Sequence, residues 1–268
     1  MTTSPIDNLT LSDFESDWKK WHFEREEGLR DSVGWLSPTA LHWLVDTDTT
    51  FGDLPGRWRA DDDAVVVTAT AADGLVRDGA PVDGELRIAA IEGAPGIELR
   101  HGERIVEVIR RTGDFALRVH DPEAQTLADF SGVPTFAPDP RWVFEARFVP
   151  FDDARTVTTG AVVEGLEHHH QALGRLEFRN EGVEHALIAF AGRSGALHVL
   201  FTDATSGVST YPSARSLTVA VPADGTAVLD FNRAVNLPCA FTAYATCPVA
   251  PPENRLSFAV EAGEKVPS

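Results

Sequence analysis

From about residue 61 to the C-terminus one pattern recurs. Short runs of β-branched or alternating apolar residues are punctuated by Gly, Asp, Pro and Asn. The runs are "DDDAVVVTATA", "ELRIAAI", "GIELRHGERIVEVIRRTGDFALRVHD", "RWVFEARFVPF", "RTVTTGAVVEGL", "GRLEFRNEGVEHALIAFAG", "ALHVLFTDATSG", "RSLTVAVPADGTAVLDFN" and "RLSFAVEAGE". Alternation with a period of two gives each run one face for a core and one for solvent. No helical period separates the runs, which excludes a parallel sheet built from βαβ units. The pattern predicts a mainly β fold, with two packed antiparallel sheets or a partly open barrel. "RNEGVEH" and "PADGTAV" read as hairpin turns, with Glu181-Gly182 and Asp224-Gly225 at the bends.

Ahead of the strands, residues 11–30 read as a helix. Ser12 is the expected N-cap, with Glu15 completing a capping box. Phe14, Trp18, Trp21 and Leu29 form an apolar stripe that reads as a packing face. The segment "GWLSPTALHWLVDTDTTFG" follows, and its aromatic residues Trp35, Trp43 and Phe51 imply burial. The expectation is a single β-rich domain over residues 1–268, with a weak break between lobes near 120–142. The Pro-rich stretch "VHDPEAQTLADFSGVPTFAPDPRW" interrupts the strands there.

Charge narrows the partners. The chain carries 41 acidic against 23 basic residues, a net charge of -18. Phosphate-tracking surfaces need a basic face, so nucleic acid is not the expected partner, nor is an anionic membrane. No apolar run reaches the roughly 18 residues of a membrane helix. The N-terminus has neither a basic start nor an apolar core of a secretion signal, and a cytoplasmic location is expected. Two cysteines, Cys239 and Cys247, do not make a disulfide framework.

The motifs "GWL...ALHWL", "RTGDFALRVHDP", "FSGVPTFAPDPRW", "FTDATSGVSTYPSAR" and "LDFNRAVNLPCAFTAYATCPVAPPENRL...AGEK" stand in one order along the chain. Together they resemble the prokaryotic domain-of-unknown-function family 1684, from Trp21 to Lys265. The resemblance implies no settled activity. It singles out Trp35, Trp43, Arg118, Asp121, Asp139, Trp142, Asp203, Tyr211, Arg215, Asp230, Asn232, Asn236, Cys239, Cys247, Glu253 and Asn254. In one place the chain departs from the family, which usually shows glycine where Ala214 stands.

Within "FTDATSGVSTYPSARSL", Arg215 offers a bidentate fork for a carboxylate or phosphate, and Tyr211 a phenol to orient or protonate a substrate. The competing reading is an Asp203–Arg215 ion pair stapling a hairpin. Asn232 and Asn236 are turn residues whose side chains satisfy irregular backbone. The expected site is a cleft with Tyr211 and Arg215 as catalytic groups and Trp142, Asp203, Asn232, Asn236, Cys239 and Asn254 as ligand contacts. Thiol catalysis at Cys239 or Cys247 needs a nearby base that the loop lacks, and buried or oxidised thiols fit better. "EHHHQALG" reads as an exposed turn, although on a strand His168 and His170 would share a face suited to a metal. No phosphate loop, dinucleotide fingerprint or nucleophile elbow is present. No organic cofactor and no metal are expected. The expected function is binding of a small, anionic molecule, with cofactor-independent hydrolysis or isomerisation as its catalytic version. The other class is a structural or partner-binding β module.

Overall fold

The structure, a computed structural model, describes residues 10–221 and 224–267, the side chain of residue 154 excepted. Helix α1 spans Leu11–Leu29. Its cap is Thr10, two residues ahead of the expected Ser12. The Thr10 hydroxyl accepts from the Asp13 amide at 3.2 Å, and the Asp13 carboxylate accepts from the Thr10 amide at 3.2 Å. That reciprocal pair satisfies two otherwise orphaned amides, and Ser12 is left inside the first turn. Trp18 and Leu29 are the buried residues of the helix, and the Trp18 indole donates to the Asn232 carbonyl at 2.9 Å. None of the described helices is long and apolar enough to cross a membrane.

Ten strands follow in the first half. They are β1 (Pro38–Trp43), β2 (Thr49–Phe51), β3 (Leu54–Asp61), β4 (Ala64–Ala69), β5 (Leu75–Arg77), β6 (Ala80–Pro81), β7 (Gly84–Ile88), β8 (Ile97–His101), β9 (Arg104–Arg111) and β10 (Asp114–His120). They form a six-stranded sheet ordered β1-β10-β9-β8-β5-β6 and a four-stranded sheet ordered β2-β3-β4-β7. The inner faces of both supply one apolar cluster, with Trp58, Val65, Val67, Leu99, Val106, Val108 and Leu117 closed to solvent.

A short helix α2 (Gln125–Asp129) and an irregular stretch lead to the second half. Its strands are β11 (Val143–Gly160), β12 (Glu167–Asn180), β13 (Val183–Ala191), β14 (Leu197–Phe201), β15 (Arg215–Val219), β16 (Thr226–Asp230) and β17 (Val235–Asn236). They make one antiparallel sheet ordered β16-β11-β12-β13-β14-β15-β17. The sheet curls into a half-barrel around Leu176, Leu187, Val199, Phe201, Leu229 and Phe231. The C-terminal segment adds Leu256, Val260 and Ala262 to that core and closes its open side. On the opposite face, the loop carrying Leu237, Ala245 and Cys247 packs on Ala172, Phe190 and Leu200.

The fold is mainly β with one long helix, as the alternation implies. Three local expectations change. "EHHHQALG" lies in strand β12, not in a turn, because its residues continue the ladder to β11. "RWVFEARFVPF" and "RTVTTGAVVEGL" merge into β11, with an irregularity in register between Pro150 and Arg155. The Asp224-Gly225 bend does not join a hairpin, since β16 pairs with β11 and β15 lies on the far side of the sheet. Glu181-Gly182 does join β12 to β13, and both residues have positive φ, 49° and 80°. Such a turn matches the right-handed twist of the flanking strands.

A Cβ added at Gly182 would meet nothing within 4 Å, so a side chain there acts through backbone strain alone. Gly182→Val is expected to cost about 1–2 kcal/mol. Urea unfolding checks this as a lowered midpoint with an unchanged slope.

Candidate functional site

Arg215 enters from β15 into the sealed centre of the half-barrel. It pairs with Asp203 at 2.8 Å, and both side chains are fully enclosed, 0% exposed. Its guanidinium also donates to the carbonyls of Val260, at 3.0 Å, and Ala262. Asp203 in turn accepts from the Thr205 amide and hydroxyl and from the Val260 amide at 3.0 Å. The pair therefore staples the C-terminal segment to the sheet, and the fork expected to grip a ligand is spent inside the protein. Arg215 Nε and Asn236 Oδ1 are buried without partners. The two residues oppose each other across β15 and β17, a spare donor and a spare acceptor.

Other expected site residues also serve the backbone. Asn254 is closed to solvent, accepts from the Ile188 amide at 2.6 Å and donates to the carbonyls of Ile188 and Leu200. Asn232 accepts from the Asp139 amide at 2.9 Å and donates to the Asp139 carbonyl at 3.0 Å. Trp142 is buried in the half-barrel core and edges a separate depression that also carries Glu15, Asp139 and Glu261. Tyr211 is half-buried and donates to the Cys239 carbonyl at 3.1 Å. Ala214 is fully buried among Phe190, Leu237 and Cys247, so its methyl group fills apolar space. Tyr211 and Cys239 are thus brought together, while Arg215, Asn232, Asn254 and Trp142 belong to other places in the fold.

Besides Trp142 at its own depression, Asn236 is the expected residue that lines a second cavity. It lies between α1 and the outer face of β13–β15, with a volume of about 580 Å³. Arg25 and Leu29 of α1, Trp35, Arg193 of the β13–β14 turn, His198 of β14, Ser216 and Thr218 of β15, Leu237 and Phe241 contribute to its wall. The wall holds two arginines and no carboxylate among the described residues. Arg25 is committed to Glu264, at 2.9 Å, and to the Asn236 carbonyl. Arg193 has no carboxylate partner among the described residues and is exposed at the rim. A larger depression of about 750 Å³ covers β11–β13, but its Arg147 and Arg179 already pair with Glu177 and Glu184.

A row of histidines crosses the sheet beside this cavity. His168 and His170 alternate on β12 with rings stacked at 6.0 Å, His170 lies 4.8 Å from Phe190, and Phe190 opposes His198 on β14. No cluster of three or more His, Cys, Asp or Glu fit for a metal occurs among the described residues. Burial pushes the His198 imidazole below its ordinary pKa, and the Arg193 charge adds to that. Burial also drives His170 down to about 4, helped by its histidine neighbours. Both rings are neutral at pH 7. His198, Ser216 and Thr218 add a neutral imidazole and two hydroxyl groups to the wall.

Arg25, Arg193 and His198 had no distinguishing signal in the sequence. Arg193 sits in "AGRSGA", an ordinary turn, and His198 in "ALHVLF", an ordinary strand. Only the docking of α1 onto the sheet brings them together.

A protein-family profile described as "Protein of unknown function (DUF1684)" matches residues 128–265, just over half of the chain. A solution NMR structure of an uncharacterized protein from Haloarcula marismortui is similar at 30% sequence identity. The match covers 54% of this chain and 80% of that chain, with a TM-score of 0.44. No curated protein matches.

Two outcomes test these electrostatics. Asp203→Asn leaves a buried guanidinium uncompensated and is expected to cost about 3–5 kcal/mol of stability in chemical denaturation. For His170, the folded pKa lies below the free value, so the unfolded chain takes up the proton first. Its contribution is whole above about pH 6.5 and is lost as the pH falls towards 4. His170→Phe is expected to flatten the stability–pH curve between those limits by on the order of 1 kcal/mol. Urea midpoints across that range measure it.

Proposed function

The chain belongs to the DUF1684 family, whose function is unknown, and we propose that it binds a small anionic molecule with an apolar body in the cavity between α1 and β13–β15. The observation that carries this reading is the sign of the wall. A chain with 41 acidic residues lines one cavity with two arginines and, among the described residues, no carboxylate. A wall so composed favours a negative guest, because each buried carboxylate there would repel it.

The parts divide the work. Arg193 supplies a cation without a carboxylate partner among the described residues, and its planar fork suits a carboxylate or phosphate. His198, kept neutral by burial and by Arg193, accepts a hydrogen bond from a hydroxyl or amine of the guest. Trp35, Leu237 and Phe241 cover its apolar part. The volume lies within the roughly 300–1,000 Å³ range of small-molecule sites. The clamp expected at Arg215 therefore moves to Arg193, which is on the cavity rim and not in the core. The sheet strands and Pro238 hold the wall in place before a guest arrives, which limits the ordering cost of binding.

Thermal unfolding in the presence of short aromatic and aliphatic carboxylates, phosphate monoesters and their uncharged amides tests the proposal. Charged compounds are expected to raise Tm with concentration, and amides of the same shape are not. Arg193→Glu is expected to weaken binding by about 10–100-fold while leaving the ligand-free Tm unchanged, since the side chain is exposed. The reading fails if no anion raises Tm, or if Arg193→Glu responds like the parent protein.

A further inference from the structure

We propose that Cys239 and Cys247 form a redox-active dithiol that reacts with small disulfides and closes into an intramolecular disulfide. The geometry comes first. The Cys239 amide donates to the Cys247 sulfur at 3.1 Å, and the Cys247 amide donates to the Cys239 sulfur at 3.2 Å. Each sulfur is thus held at the other residue's backbone. This reciprocal pairing brings two thiols, eight positions apart in the chain, together across the loop.

Their surroundings differ in a useful way. Cys239 is half-buried, while Cys247 is buried in the apolar cluster with Phe190 and Leu237. Arg118, whose Nε donates to the Tyr244 carbonyl at 2.8 Å, anchors the loop midway between the two cysteines. The hydrogen bond from Cys247 lowers the Cys239 thiol pKa, against burial, and the Cys247 amide and the Arg118 charge reinforce it. The same bond and burial push Cys247 up. The two shifts describe one shared proton: Cys239 ionises first and Cys247 keeps its hydrogen. A half-buried thiolate with a protonated, more deeply buried partner behind it is the arrangement of an attacking and a resolving cysteine.

The reaction balances with a low-molecular-weight disulfide as oxidant. The Cys239 thiolate attacks one sulfur of that disulfide, forming a mixed disulfide and expelling one small thiolate. Cys247 gives up its proton to the expelled thiolate and attacks the Cys239 sulfur, and the second small thiolate leaves. The protein loses two electrons and two protons, and the small disulfide becomes two thiols. The closed bond fastens a loop whose Cys239 carbonyl holds Tyr211 and whose Pro238 lines the anion cavity.

The test uses the full chain, reduced and then incubated with oxidised glutathione, with thiol counting and intact mass as readouts. The wild type is expected to lose both free thiols, retain no glutathione, and recover both thiols on adding dithiothreitol. Cys247→Ser is expected to hold one glutathione on Cys239, and Cys239→Ser to stay unmodified while folded. The proposal is overturned if the folded wild type keeps both thiols under excess oxidant. It is equally overturned if the wild type accumulates glutathione adducts without an internal bond. The wild-type mass decides the matter even if a serine variant does not fold, and neither readout depends on the anion cavity.

Discussion

The enclosed Arg215–Asp203 pair is the interaction on which the second half of the molecule rests. A curled seven-stranded sheet leaves one side of its core open, and the C-terminal segment covers it with Leu256, Val260 and Ala262. That segment is irregular, so its carbonyls and amides need partners that strand pairing does not provide. Arg215 takes three of those carbonyls, of Val260, Ala262 and Glu264, and Asp203 takes the Val260 amide. Each charge is met by the other and by backbone, with Arg215 Nε alone of the guanidinium nitrogens left over, which holds the buried pair at tolerable cost. Glu264, also fully enclosed, extends the arrangement by accepting from Arg25 and from the Asn236 amide. The segment that seals the core thereby also fastens α1.

The cavity follows from that fastening. Trp18 and Arg25 fix the helix at the Asn232 carbonyl and at Glu264, and the helix lies alongside β13–β15 without filling the groove. The groove's walls come from α1, the β13–β14 turn, strands β13, β14, β15 and β17, and the C-terminal loop. Its charge is set by which side chains those elements happen to point inward, and the acidic majority of the chain faces elsewhere. The cysteine loop meets the first half of the protein at the same end. Arg118 pairs there with Glu107 at 2.6 Å, stacks over Trp35 at 4.9 Å and bonds the Tyr244 carbonyl. Burial would raise the Glu107 carboxyl, yet the bonds from His120 and Arg118 outweigh it and hold its pKa down to about 2. The two apolar clusters are joined by this polar seam.

Much of the local structure was legible because it depends on neighbours in the chain. The stripe of Phe14, Trp18, Trp21 and Leu29 marked the helix, and the Glu181-Gly182 pair marked a hairpin turn that the strands' own twist demands. The misreadings also have local causes. Thr10 and Ser12 are both competent caps, and the choice depended on which carboxylate could return the bond. Asp224-Gly225 has hairpin chemistry, but partner choice in a sheet is a matter of topology. The triple histidine looked like a turn because its polarity hides a strand whose second face packs on the C-terminal loop, where His168 reaches the Thr246 carbonyl.

By itself the sequence determined the fold class, the helix, most strands and the absence of phosphate-loop and dinucleotide motifs, since periodicity and turn chemistry act over a few residues. It also narrowed Arg215 to two roles, an ion pair or a ligand fork, without separating them. Only the tertiary structure decided that question, because whether a guanidinium faces water depends on a segment some 45 residues further along the chain. For the same reason the cavity joins Arg25 to Arg193, and the amides that hold each cysteine sulfur belong to the other cysteine. Burial and charge environment are properties of the packed whole, and no spacing along the chain encodes them.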